Sequence, residues 1–209
     1  MKKLLIAVSA LVALTLLLAG SGHSAPTHPN EIGLYMNEDG TGATGTYDFG
    51  IPIYAYLVLT KPSDTSNNDT PYATINAFEC RLTFSLSEGL FKLGDFFPPT
   101  ALNIGDNSSI SQGFLEYIVG IAEDVPVIDE SVVLVEFVFL LVVNSVIEVT
   151  IGPTSRPSRP GMMVFQSVSG HLVPMYPVSG AYEDPIFIFN GEAVDVEKET
   201  FGSVKALYR

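Results

Sequence analysis

Apolar side chains recur at every second position along most of this chain. Across 51–60, Ile51, Ile53, Ala55, Leu57 and Leu59 share one parity, while Tyr54 and Tyr56 take the other. A period of two is the spacing of a β-strand, whose successive side chains point to opposite faces. The stretch 75–86 repeats it: Phe78, Cys80, Leu82, Phe84 and Leu86 face one way, Glu79, Arg81, Thr83 and Ser85 the other. One face of that strand is predicted to lie in the core, and Cys80 with it. Further strands are predicted at 32–36, 90–97, 114–121, 146–151, 163–167 and 172–175. The run 132–143 is apolar on both parities except at Glu136, which predicts a central strand covered on both sides.

Polar segments punctuate these runs. The stretches 37–50 and 61–72 read as loops, 154–161 with Pro157 and Pro160 as an exposed connection, and the acidic run holding Glu123, Asp124, Asp129 and Glu130 as a solvated loop. Asn190-Gly191, between 186–189 and 192–196, predicts a type I′ hairpin, whose two central residues need positive φ. Past the N-terminus, only 204–208 hints at a helix. About nine short strands joined by turns predict an all-β fold, an antiparallel β-sandwich of jelly-roll or Ig-like type.

The N-terminus follows a different rule. Lys2 and Lys3 precede an apolar run over 4–18, and small residues from Ala19 to Ala25 follow it. That order predicts a secretory signal peptide over 1–25, a sandwich domain over 26–197 and a tail over 198–209. The apolar run is shorter than the roughly 20 residues of a membrane span, and Ser21 stands where a lipidated cysteine would be. Export to the periplasm or beyond is the expectation. The formal charge is −13, and removing Lys2 and Lys3 with the leader takes it to −15. So acidic a surface disfavours nucleic acid and anionic membranes as partners. With Cys80 as the sole cysteine, no internal disulfide forms.

Candidate chemistry is sparse. Asn37, Asp39 and Thr41 occupy the first, third and fifth places of a calcium-loop spacing, with Gly42 sixth and Asp48 twelfth. Structural calcium is the one cofactor this suggests. The segments around the loop do not read as helices, and a plain solvated loop is the alternative. Tyr54 and Tyr56, on the outward parity of their strand, suit contact with a protein or a glycan. The absence of tryptophan removes the usual sugar-stacking ring. No nucleophile elbow or ordered nucleophile–base pair is present, His171 falls at a turn, and Cys80 is read as a small core hydrophobe. An enzyme is not expected.

The segments Ile51-Pro52-Ile53-Tyr54-Ala55-Tyr56-Leu57, Ile75-Asn76-Ala77-Phe78-Glu79-Cys80-Arg81-Leu82, Gly89-Leu90-Phe91, Val133-Leu134-Val135-Glu136-Phe137-Val138-Phe139 and Asn190-Gly191-Glu192-Ala193-Val194 follow one another as strands and turns do in a known group. In this order the chain resembles the cohesin-like and carbohydrate-binding-module-like β-sandwiches of secreted bacterial proteins, over 32–196. The resemblance implies a non-catalytic module that binds an extracellular protein through a sheet face, as cohesins dock a helical, calcium-bound dockerin. A carbohydrate-binding module that takes a glycan is the alternative it implies. A hydrolase with paired carboxylates is the remote one. The chain itself carries no dockerin repeat.

Overall fold

A computed structural model describes residues 28–191. The leader at 1–25, the returning arm 192–196 of the Asn190-Gly191 hairpin, the tail and the helix hint at 204–208 lie outside the described residues.

The strands are, in order, β1 (Glu31–Tyr35), β2 (Thr44–Gly45), β3 (Pro52–Thr60), β4 (Ser63–Asp64), β5 (Thr70–Pro71), β6 (Thr74–Phe84), β7 (Leu90–Phe96), β8 (Ala101–Asn103), β9 (Phe114–Pro126), β10 (Ser131–Leu141), β11 (Ile147–Gly152), β12 (Met163–Ser167), β13 (Leu172–Pro177) and β14 (Phe187–Phe189). β4 and β5 pair with each other as a separate two-stranded sheet, and the other strands form two layers. One runs β13, β1, β3, β10, β7. The other runs β8, β9, β6, and the far edge of β6 is divided. There β12 takes the part from Ile75 to Glu79 and β11 the part from Arg81 to Phe84. β11 leads on to β14 and β2, and β12 to β13. β13 therefore belongs to both layers: it pairs antiparallel with β12 and, through Tyr176 and Pro177, parallel with β1.

The core follows the predicted parity. Ile53, Ala55, Leu57 and Leu59 of β3, and Phe78, Cys80, Leu82 and Phe84 of β6, are all buried. Aromatic rings join the layers, with Tyr117 against Phe137 at 5.8 Å, Phe84 against Phe139 at 6.3 Å and Phe139 against Phe189 at 5.5 Å between centroids. Such edge-on pairs add to the burial of large apolar surface.

Several expectations are corrected. The acidic stretch holding Glu123 and Asp124 is strand, since β9 continues to Pro126 and pairs with Thr74 and Ile75 of β6. β10 is covered on one side only: Val132, Leu134, Val135, Phe137, Phe139 and Leu141 are buried, while Val133, Glu136, Val138 and Leu140 stay half-open. A bulge between Val133 and Val135 lets two consecutive residues, Leu134 and Val135, face the core. Ile51, placed with the core set, precedes β3 and is exposed. The polar segments read as loops hide three short pieces, β2, β4 and β5. Asn190 takes the positive φ expected of it, at 51°, but Gly191 does not, so the pair is not the type I′ turn predicted. Its side chain accepts from Tyr47 N at 3.2 Å and donates to Ser145 O at 3.4 Å.

Candidate functional site

The outer face of the second layer carries a trough of about 700 Å³. Its floor is nearly free of side chains. Ala77 of β6 lies opposite Gly120 of β9, and Ala122 follows on the same parity. A Cβ built on Gly120 meets nothing within 4 Å, so the space above it is open. Leu102 and Ile104 form one wall, 69% and 73% exposed, and Leu172 stands opposite among the lining residues. Apolar side chains left this open, around an apolar floor, are what a surface built for contact offers.

One end of the trough is fixed by buried charge. Glu79 lies on the outward parity, as predicted, and Glu116 stands near it across the β6–β9 ladder, yet both are buried. The connection 154–161, exposed over most of its length as expected, reaches them through two of its serines. Glu79 accepts from Ser158 N at 2.7 Å and from its hydroxyl at 2.8 Å. Glu116 accepts from Ser155 N at 2.6 Å and from its hydroxyl at 2.9 Å. Each carboxylate thus clasps one serine twice, which satisfies it away from water. Between them Arg81 lays its guanidinium 3.9 Å from the ring centroid of Phe114.

The outward tyrosines sit on the other layer. Tyr54 is 52% exposed, while Tyr56 is half-buried against Tyr35 and Val58. Burial, then Glu136 and Glu38, push the Tyr56 hydroxyl above its ordinary pKa. The two rings are therefore unequal, one open and one wedged between carboxylates.

Asn37, Asp39 and Thr41 share one turn, and they bond to each other. Asp39 Oδ1 accepts from Thr41 N at 3.0 Å and from its hydroxyl at 2.6 Å, and Asn37 Nδ2 donates to the Thr41 hydroxyl at 2.9 Å. Asp48 lies apart from this turn, in another closed by Ile51 N on its carbonyl at 3.3 Å. Among the described residues, no three of His, Cys, Asp and Glu are grouped to hold a metal ion.

Cys80 is wholly buried, and burial followed by the Glu79 charge pushes its thiol well above the ordinary range. It packs as an inert hydrophobe. His171 lies between β12 and β13, where its carbonyl accepts from Ser167 N at 3.1 Å. The sequence reading missed the cluster at Asp95, whose Oδ2 accepts from Lys92 Nζ at 2.7 Å, Asn107 Nδ2 at 2.6 Å and the Tyr117 hydroxyl at 3.2 Å. Lys92 also donates to the Asn107 carbonyl. The Lys-x-x-Asp spacing on an apolar strand is the one signal that hinted at it.

No protein-family model matches the chain, and no curated protein sequence matches it. Solved structures do. A type II cohesin domain from the cellulosome of Acetivibrio cellulolyticus superposes with a TM-score of 0.52 at 9% identity, covering 78% of this chain and 96% of that one. The type II cohesin dyad from the adaptor ScaA scaffoldin of the same organism gives 0.53 at 9% identity, over 79% of this chain and 50% of the dyad.

The fold is cohesin-like.

The second type II cohesin module of that scaffoldin agrees, with a TM-score of 0.50 at 12% identity over 85% of this chain and 100% of the module. At these identities the likeness is one of fold, and the side chains of the trough belong to this chain.

Proposed function

We propose that this cohesin-like domain is an exported, non-catalytic module that binds a partner protein on the outer face of β8, β9, β6 and β12. The observation that carries the reading is the trough itself, an open floor of Ala77, Gly120 and Ala122 beneath the exposed walls of Leu102 and Ile104. A floor of such small residues admits the bulk of a partner's backbone or apolar residues. Each wall residue, once fully covered, contributes about 1.5–3 kcal/mol. The module fold found in a cellulosomal cohesin and a scaffoldin supports a binding role over a catalytic one. The leader predicted at 1–25 supports a place outside the cytoplasm.

Gly120 offers the test. Its φ is not among the positive ones and its Cβ direction is empty, so Gly120→Trp fills the trough without backbone strain. The processed protein, used as bait in the secreted fraction of its own source, is expected to retain a reproducible partner that Gly120→Trp loses. Recovery of nothing, or of the same partner by both baits, would sink the reading.

A further inference from the structure

The opposite face of the sandwich has a hollow that the proposed function does not use. It measures about 560 Å³ and lies between the turn at 37–41, the outer side of β10, the end of β7 and the segment 125–131. Two kinds of side chain line it. Glu38, Asp39, Asp129 and Glu136 supply carboxylates, and Phe96 and Ile128 supply apolar surface, 58% and 64% exposed. Neither lysine, arginine nor histidine lines it, and among the described residues none of the four carboxylates is joined to a basic side chain. Tyr56 borders the same turn, beside Glu38 and Asp39.

The arrangement selects its occupant. A metal ion needs several oxygens around one point, and these carboxylates are not so grouped. Spread-out negative charge around exposed rings and aliphatic groups instead complements a chain with several separate cations and apolar side chains between them. Each ammonium or guanidinium would meet a carboxylate, and its stem would lie on Phe96 or Ile128. A second copy is a poor occupant, because the formal charge of −13 makes two such faces repel.

We propose that this hollow docks a lysine- or arginine-bearing apolar segment of a second protein, Glu38, Asp39, Asp129 and Glu136 meeting its charges and Phe96 and Ile128 its apolar side chains. The domain then carries two separate protein-binding surfaces, the apolar trough and this acidic hollow at the margin of the sandwich.

The test uses the purified chain and two synthetic peptides, one alternating Lys with Leu and one alternating Glu with Leu, titrated by calorimetry at low and high salt. The Lys peptide is expected to bind saturably, more weakly at high salt, and the Glu peptide not at all. The pair Asp129→Asn and Glu136→Gln is expected to weaken binding about tenfold, and Phe96→Ala by a similar factor. A control pair makes the same change in charge elsewhere: Glu88→Gln ahead of β7, and Glu148→Gln on β11 in the other layer. It should leave the affinity unchanged, as should Gly120→Trp. The proposal is overturned by a lack of saturable binding or by equal binding of the two peptides. It is also overturned if the control pair weakens binding as much as the hollow's own, which would mean diffuse attraction only. Loss of binding in Gly120→Trp overturns it too, by placing the peptide in the trough.

Discussion

On β6 and β9 the outward positions 77, 120 and 122 carry Ala, Gly and Ala, whereas on β3 and β10 the outward positions 54, 56 and 136 carry Tyr, Tyr and Glu. Both faces arise from the same alternation, and both cover the same core. They differ in what the outward set leaves above the sheet. Small residues leave a channel whose walls come from neighbouring elements, Leu102 and Leu172. Large and charged residues fill more of the space themselves, and the hollow described there lies toward the margin, between the turn at 37–41 and the end of β7. The size of the outward residues, rather than their polarity, decides where a sheet can receive another molecule.

The strongest way to break this contrast is to remove what both faces share. Phe139 stacks with Phe137 at 5.2 Å and touches Phe84 and Phe189 in the opposite layer. Phe139→Ala is expected to cost about 3–5 kcal/mol by urea denaturation and to weaken both faces together. A smaller and one-sided change comes from the clasp. Glu79→Ala removes the acceptor of the Ser158 N–H and hydroxyl, which water can partly replace, for a loss of about 1 kcal/mol. It should disturb the trough while the Lys peptide still binds at the hollow, and equal damage at both sites would show that the faces are coupled. Smallest of all is Tyr54→Ala. Its half-exposed ring predicts a change in stability within about 0.5 kcal/mol. A larger loss would mean that the ring supports the sheet rather than facing outward.

The alternation made most of the fold legible. It placed Cys80 inside and Tyr54 outside, and it marked 163–167 and 172–175 as the strands found as β12 and β13. What it left out is cover. Parity says that Glu79 points away from the core. It does not say that Ser158, 79 residues further on, will lie over it. The same gap hid the trough, since Ala77 and Gly120 carry no signal except in register with each other. β10 failed in the opposite sense. Its outward valines and leucine read as buried, but Val138 and Leu140 stand on the open face. The calcium spacing was legible as composition, and the turn uses those groups to close on itself, because short polar side chains bond readily to nearby backbone.

The double membership of β13 has one more consequence. By joining both layers it seals one flank of the sandwich, and β7 remains as a seven-residue border strand whose one strand partner among the described residues is β10. Bare apolar borders of this kind invite self-polymerisation. Two features of β7 oppose it: the irregular register opposite Val138 and Phe139, and the ammonium of Lys92 turned inward to Asp95. A newcomer strand would meet a kinked rim with a charge behind it, and folded molecules are kept from growing into ribbons.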